Sequence, residues 1–206
     1  AYEVTRDLKE GVVNAVEMLA NEAVWYWKDR GQSTQYIDAT ALKDDCLTMV
    51  YRLLFLFYAE SRTDLDLLPV HDEVYEHGYS LEMLRDLEQV PLNTATSANG
   101  YFFHESLTGL FALLRGGHNE RGAGSASFRM RHLDSPLFDD RRLRYLGVVQ
   151  VRNVIWQEII RELSLSKRTR GRNRGRISYA NLGINQLGSV YESLLAYQGY
   201  FADVDQ

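Results

Sequence analysis

The stretch that decides the fold spans residues 40–62 and reads TALKDDCLTMVYRLLFLFYAESR. Its apolar residues recur every three or four positions, which is the spacing of one face of an α-helix. They also occupy so much of the circumference that the helix is expected to lie at the centre of the fold. Five residues form the stripe that we expect to face the core: Leu42, Cys46, Met49, Leu53 and Leu56.

Similar patterns predict further helices on both sides of this one. A long amphipathic helix is expected over residues 4–27 and should end near Gly31. Ser80 is placed to cap a helix over residues 80–88. Three more are predicted: over residues 102–114, stopped by Gly116 and Gly117; through Val151 and Leu163; and through Ile184 and Leu194. No alternating run is long enough to build a sheet, so the predicted class is all-α, a multi-helix bundle with long irregular loops.

Composition places the chain among ordinary globular proteins. It has 206 residues, of which 45% are apolar and 25% are charged. The single cysteine, Cys46, excludes an internal disulfide framework and favours the reducing cytoplasm. No stretch approaches the roughly 20 apolar residues that span a bilayer, so no membrane partner is predicted. Because the chain begins at Ala1 rather than at a methionine, we expect it to be a piece of a longer protein.

The sequence lacks the motifs that carry catalytic chemistry. Gly122 and Gly124 resemble the start of a dinucleotide fingerprint, but Ser127 takes the place of the third glycine. No histidine pair has helical metal-ligand spacing, and the polar patch that begins at His71 is interpreted as solvated surface. Cys46 lies on the apolar stripe, where a buried, inert thiol is expected. We therefore predict no catalytic residue, no cofactor site and no metal site in this chain.

Structural roles are predicted for one carboxylate, two aromatic clusters and one polar stretch. Glu60 lies near the core stripe, and a buried carboxylate needs a partner, so we expect an ion pair with Arg52, Arg62 or another arginine. The aromatic residues 25–27 and 101–103 could stack on bases, but their helical spacing is more typical of core anchors. The stretch 118–135 is rich in Gly, Ser and charge and is expected to form a long, mobile excursion.

Positive charge is concentrated in one part of the chain. The net charge is −5, yet residues 141–176 hold eleven Lys or Arg against two acids and carry +9, which leaves −14 for the rest. Within them, residues 167–176 (KRTRGRNRGR), here called the basic segment, contain six cations and no acid. These six are the candidate contacts to DNA phosphates: Lys167, Arg168, Arg170, Arg172, Arg174 and Arg176.

Two interpretations of the basic segment remain open. Six phosphate contacts would give a slope of log affinity on log salt of roughly −5 on duplex DNA. The alternative is a solvated loop with no partner. The segment contains no aromatic residue, so it could hold a nucleic-acid backbone but offers no surface for base stacking.

Two segments carry a family likeness: residues 45–62 (DCLTMVYRLLFLFYAESR) and, more specifically, residues 177–201 (ISYANLGINQLGSVYESLLAYQGYF). In the second, the order LGSVYE followed by Leu194 and Leu195 is the distinctive feature, and DSPLFD at residues 134–139 also fits. They resemble the helical region just ahead of the catalytic domain in large adenine-specific DNA methyltransferases. These are single-chain restriction-modification enzymes of the type IIG kind and related phage-defence methylases.

The resemblance implies a Rossmann-like methyltransferase domain that begins soon after the last helix. In the family this domain binds S-adenosylmethionine and methylates the exocyclic amino group of a flipped adenine. Its Asn/Asp-Pro-Pro-Tyr/Phe tetrapeptide cannot occur here, because Pro69, Pro91 and Pro136 are isolated. We therefore expect a single helical domain, with a core over residues 1–165, a basic loop over 166–176 and a lead-in helix over 177–206.

The lead-in helix has a start signal and one apolar face. Gly183 can serve as its N-cap, with Gln186 three residues on to complete a partial capping box. Four residues on one face are candidates for interdomain packing, although the same stripe could simply pack on the bundle: Ile184, Leu187, Tyr191 and Leu194.

The sequence thus predicts a non-catalytic, DNA-supporting helical domain of an adenine-specific DNA methyltransferase, with or without a fused nuclease. The expected partners are double-stranded DNA, through the parent protein, and a methyltransferase domain C-terminal to this chain. S-adenosylmethionine is expected as the cofactor of the parent protein and not of this chain. The alternatives are an all-α protein-interaction domain whose arginines bind an acidic protein or nothing, and a helical enzyme without a recognisable motif.

Overall fold

The computed structural model describes residues 2–116, 136–165 and 175–196, so the predicted excursion over 118–135 lies outside the described residues. These ranges contain eight α-helices, five short 3₁₀ helices and no strand, which confirms the all-α class. Their one β-type pairing is an isolated antiparallel bridge between Leu165 and Arg176. The α-helices are α1 (Tyr2–Asp29), α2 (Ala39–Ser61), α3 (Glu73–Gly78), α4 (Leu81–Asp86), α5 (Ala95–Asn99), α6 (Phe102–Gly116), α7 (Asn153–Ser164) and α8 (Ile184–Ala196).

The helix predicted to be central, α2, is buried along most of its length. Thirteen of its 23 residues are buried, including all five members of the predicted stripe, so the sequence identified the core helix correctly. The helix begins where the Asp38 side chain accepts a hydrogen bond from the Ala41 amide at 3.1 Å. That bond satisfies one of the amides that a helix N-terminus leaves without a partner.

Three helix ends lie where the sequence predicts them. α1 stops two residues before Gly31, whose φ of 66° lies in the left-handed region that glycine adopts without strain. Ser80 Oγ accepts a hydrogen bond from the Met83 amide at 3.1 Å and caps α4. Ahead of α8, the Gly183 amide donates to the Gln186 side chain at 2.8 Å, so the predicted half of a capping box is present.

Two short helices, α3 and α5, were not predicted, because five or six residues are too few to show apolar periodicity. Their ends are specified by polar side chains instead. Asp72 accepts hydrogen bonds from the amides of Val74 and Tyr75 at the start of α3. A reciprocal capping box between Thr94 and Ser97 starts α5.

The predicted helix through Val151 begins two residues later, at Asn153, because Asn153 joins three parts of the chain. Its amide donates to the Gly100 carbonyl at 2.8 Å, and its Nδ2 donates to the Ser97 carbonyl at 2.9 Å. Its Oδ1 accepts from the Phe103 amide at 3.1 Å. The start of α7 is therefore tied to the corner between α5 and α6.

Gly11 of α1 is buried and lies directly against the backbone of α7. A Cβ built on Gly11 would lie 2.3 Å from the backbone oxygen of Glu162, closer than any side chain could be accommodated without movement. Three residues along α1, the Asn14 side chain donates to the Glu162 carboxylate at 3.2 Å. Glycine is required at this position because the two helix backbones are almost in contact.

A buried carboxylate on α2 holds the irregular chain that precedes α7. Asp45 accepts hydrogen bonds from three successive backbone amides, those of Arg144, Tyr145 and Leu146, at 3.2, 2.6 and 3.0 Å. Three amide donors converge on one carboxylate, so this turn has a fixed position although it contains no regular α-helix.

A fully buried guanidinium on α2 holds the neighbouring turn. Arg52 donates from Nε to the Leu137 carbonyl at 2.6 Å and from Nη1 to Asp140 Oδ1 at 2.7 Å. Its guanidinium also lies 5.0 Å from the Phe111 ring and 5.8 Å from the Phe138 ring. Asp45 and Arg52 together attach residues 136–146 to the central helix.

Two further sequence predictions concern Cys46 and the bilayer. Cys46 is fully buried, and that burial raises the pKa of its thiol far above the ordinary value, as expected for an inert core thiol. None of the helices in the described ranges combines the length and apolar character that a membrane crossing requires.

The contact at Gly11 yields the first prediction. We expect Gly11→Ala to lower the free energy of unfolding by about 1–3 kcal/mol, because the new methyl group would overlap the Glu162 carbonyl. Gly109→Ala in α6 is the matched control, since a Cβ there meets nothing within 4 Å. Alanine's better helix propensity should then raise stability by roughly 0.5–1 kcal/mol. Urea unfolding measures both values, and equal effects would contradict the close packing at Gly11.

Candidate functional site

Most of the basic segment lies outside the described residues, and Arg176 is the member that the structure places. Its guanidinium forms ion pairs with Glu82 at 3.2 Å and with Asp86 at 2.8 Å, both on α4, while its side chain stays 42% exposed. The five candidates outside the described residues are Lys167, Arg168, Arg170, Arg172 and Arg174.

The described residues on either side of the basic segment meet each other. Leu165 and Arg176 form the isolated antiparallel bridge, and the Ile177 amide donates to the Ser164 carbonyl at 2.7 Å. Buried Arg85 of α4 donates to the carbonyls of both Ser164 and Ile177. The described residues that border the basic segment are therefore held together, and Arg85 of α4 bonds to both sides of this junction.

Within the described ranges, acids lie close to most of the arginines that give residues 141–176 their positive charge. Six of the eleven cations of residues 141–176 are described, and five of these form ion pairs with acids. Several of those acids come from distant parts of the chain. The pairs are Arg141 with Asp139, Arg144 with Asp38, Arg152 with Glu22, Arg161 with Glu158, and Arg176 with Glu82 and Asp86.

α8 packs against α1, and the chain leading into it belongs to the core. Ile177, Tyr179 and Leu182 are buried, as is Val190 within the helix. Of the four predicted interdomain residues, Leu187 is partly buried against the core. The side chains of Ile184, Tyr191 and Leu194 lie outside the described residues, so interdomain packing stays a prediction.

The two aromatic clusters supply both core anchors and surface rings. Trp27 and Phe103 are buried in the core, as the interpretation of core anchors requires. Two other rings are covered by arginines: Arg152 lies 3.6 Å from the Trp25 ring centre, and Arg30 lies 3.5 Å from that of Tyr26. Phe102 is half exposed.

Glu60, at the end of α2, lines a cleft of about 330 Å³ between α2, α3, α4 and the 3₁₀ turn at Tyr179. Its Oε1 accepts hydrogen bonds from the Tyr75 hydroxyl and the Leu81 amide, both at 2.7 Å. Its Oε2 accepts from the Glu82 amide at 2.9 Å. The carboxylate therefore joins the end of α2 to the start of α4.

The prediction that Glu60 forms an ion pair with an arginine is wrong for the described residues. Arg52 is paired with Asp140, and Arg62 with Asp64. The reason is that α4 folds back onto α2 and presents its free N-terminal amides, which take the place of a guanidinium. Burial raises the pKa of Glu60 to about 7, and the three hydrogen bonds only partly offset that effect.

The wall opposite Glu60 is formed by Arg85 and Tyr179. The Arg85 guanidinium lies 5.4 Å from the Phe57 ring and 5.7 Å from the Tyr179 ring. The Tyr179 ring stacks on Phe57 at 4.9 Å, and its hydroxyl donates to the Leu163 carbonyl at 2.7 Å. Sequence reasoning found Ser80 as a cap but missed this cleft, because residues 60, 85 and 179 meet only after the chain has folded.

His104, on α6, is a second titratable group and is partly buried. Its Nδ1 accepts hydrogen bonds from the Val151 amide and from Trp156 Nε1, both at 3.3 Å. An imidazole that accepts at Nδ1 is neutral there, and burial lowers its pKa to about 4. The described histidines, carboxylates and cysteine include no group of three or more that could hold a metal ion.

Comparison of the chain with protein-family models, with curated proteins and with solved structures finds no match.

Glu60 and His104 should give stability opposite dependences on pH. The folded state holds the Glu60 proton more tightly than the unfolded chain, so this contribution is full below about pH 4.5 and is lost as the pH rises through 7. The folded state disfavours His104 protonation, so that contribution is full above about pH 6.5 and is lost as the pH falls through 4. Each can reach about 3 kcal/mol.

Single variants separate the two slopes. The two contributions oppose each other and largely cancel between pH 4.5 and pH 7 in the natural sequence, so each variant should expose the slope of the other group. Glu60→Gln should lose stability as the pH falls from 7 to 4.5. His104→Asn, which keeps an acceptor near the position of Nδ1, should lose stability as the pH rises from 5 to 8. Urea unfolding at each pH gives the slopes, and a variant slope equal to that of the natural sequence would contradict the assignment of that group.

Proposed function

We propose that this chain is a non-catalytic helical domain of an adenine-specific DNA methyltransferase. In this proposal the basic segment contacts DNA phosphates, and α8 leads into a catalytic domain C-terminal to this chain. The parent protein binds S-adenosylmethionine and acts in restriction-modification or phage defence in the cytoplasm. The sequence likeness described above motivates the proposal, and one geometric observation supports the role of the basic segment.

That observation is the pairing of the chain at Leu165 and Arg176. Leu165, two residues ahead of the segment, is bridged to Arg176, its last residue, and Arg85 donates to the carbonyls of Ser164 and Ile177. A cationic segment fixed at both ends loses less conformational entropy on binding a polyanion than a free tail does. This attachment therefore lowers the entropic cost of the proposed phosphate contacts.

The distribution of acids also supports a polyanion as partner. No Asp or Glu occurs between Glu162 and Glu192, so the chain on both sides of the basic segment adds no repulsion. Elsewhere in the described ranges most cations of this region are balanced by ion pairs. The basic segment is therefore the natural place for phosphate contacts, while the bundle beneath it serves as a support.

The sequence of the native gene beyond Gln206 tests the methyltransferase assignment directly. We expect it to continue into a glycine-rich strand and loop followed by an Asn/Asp-Pro-Pro-Tyr/Phe tetrapeptide, because the resemblance places this chain just ahead of that domain. A stop codon at this position would reject the assignment.

The salt dependence of duplex DNA binding tests the basic segment. Replacing Arg168, Arg170 and Arg172 by Ser should flatten the slope of log affinity on log salt by about 3, because each phosphate contact releases about 0.9 counterion. Replacing Arg6, Lys9 and Lys28 of α1 removes the same charge elsewhere and should leave the slope unchanged. Fluorescence anisotropy at several salt concentrations measures both.

Arg176 needs a separate variant because it already has two acidic partners. If it contacts phosphate, Arg176→Ser weakens DNA binding, and Asp86→Asn strengthens it by removing one of the two acids that compete with phosphate for the guanidinium. An unchanged slope after the triple replacement would remove the basic segment from the interface and favour a protein-interaction domain with no nucleic-acid role.

A further inference from the structure

The cleft beside Glu60 has features that a DNA-supporting role does not use. It lies between α2, α3, α4 and the turn at Tyr179, and its volume of about 330 Å³ is in the range of small-molecule pockets. Val70 gives it partly exposed apolar surface, and the buried rings of Tyr75 and Tyr179 lie in its wall beside polar groups. At roughly 30 Å³ for an atom the size of water, it has room for about ten non-hydrogen atoms.

Glu60 brings to this cleft a negative charge that no cation in the described residues balances. Its hydrogen bonds come from one hydroxyl and two backbone amides, all neutral donors. Oε1 receives two of them, but Oε2 receives only one. A carboxylate oxygen accepts two hydrogen bonds, so Oε2 retains one acceptor position.

The other charged groups of the cleft are arranged differently. Glu82 is shared by two guanidinium groups, with Arg176 at 3.2 Å and Arg85 at 3.7 Å. Arg85 directs its Nη2 to the carbonyls of the chain that flanks the basic segment. Glu76 is exposed at the rim. Glu60 is therefore the carboxylate inside the cleft that lacks a counter-charge.

We propose that this cleft binds a small organic ammonium ion, whose nitrogen donates to Oε2 of Glu60 and whose apolar body lies against Val70. The ammonium supplies the counter-charge that the fold does not provide, and it does so where water is partly excluded and the attraction is strong. The proposal is independent of DNA binding and of the methyltransferase assignment.

Binding of the cation is linked to the ionisation of Glu60. The neutral acid, which the folded protein favours below about pH 7, offers no charge to an ammonium. The titratable and charged groups around it are Tyr75 and Glu76 from α3, Glu82 and Arg85 from α4, and Tyr179 from the following turn. Of the other two carboxylates, Glu82 is paired with two guanidinium groups and Glu76 is exposed at the rim. The linkage between cation binding and proton release therefore belongs to Glu60.

Phenethylammonium is a suitable probe, since it has nine non-hydrogen atoms and one primary ammonium group. Isothermal titration should give a dissociation constant of about 1 mM or lower at pH 8 and about tenfold weaker binding at pH 6, because only about a tenth of Glu60 is ionised there. Titration at pH 6 in two buffers of different ionisation enthalpy should show release of about one proton per ligand bound.

Two controls separate this site from non-specific cation binding. Glu60→Gln should abolish both the binding and its pH dependence, whereas Glu76→Gln at the rim should retain both. The uncharged 2-phenylethanol should bind to the natural sequence at least tenfold more weakly at pH 8. The proposal is overturned if affinity for the ammonium is the same at pH 6 and pH 8, if the alcohol binds as well, or if Glu60→Gln, shown to be folded by circular dichroism, retains binding.

Discussion

Two buried charges on α2 determine where the irregular part of this molecule lies. Asp45 collects three backbone amides, and fully buried Arg52 holds one carbonyl and one carboxylate of the same region. Residues 136–146 have little regular structure, so these bonds replace the ones that an α-helix would supply. Removing Asp45 would leave three backbone amides without these bonds, and removing Arg52 would leave the Leu137 carbonyl without this donor, which is costly where the groups are shielded from water. The positions of the neighbouring elements follow from this attachment.

Around this centre the molecule repeatedly places an α-helix N-terminus or a set of amides against a carboxylate. Asp45 receives three amides from a turn, and Glu60 receives two amides from the start of α4. The difference lies in the surroundings: the Asp45 turn is closed, while Glu60 lines a cleft. The same type of hydrogen bond thus fixes a turn at Asp45, whereas at Glu60 it holds a titratable carboxylate beside a cleft.

Helices with long apolar stripes could be predicted from the sequence, because their spacing is a local property of the chain. This holds for α2, for α1 up to Gly31, and for the cap of α4 at Ser80. Partners of buried polar groups could not be predicted in the same way. Glu60 was expected to meet an arginine, but it meets amides about 20 residues away, and its pocket needs a turn more than 100 residues away. How much of the sequence's charge asymmetry remains on the folded protein likewise could not be predicted, because it depends on which acids the fold brings near each arginine.

The attachment of the turn to Asp45 also sets an order of events during synthesis. The amides that it binds are about 100 residues further along the chain. At translation rates of about 5–20 residues per second, α2 leaves the ribosome roughly 5–20 s before those partners exist. Throughout that interval Asp45 and Arg52 of α2 stay hydrated, because the groups that bind them inside the fold have not yet been made. The nascent chain therefore cannot complete its core early, and the first half of the domain must wait for the second.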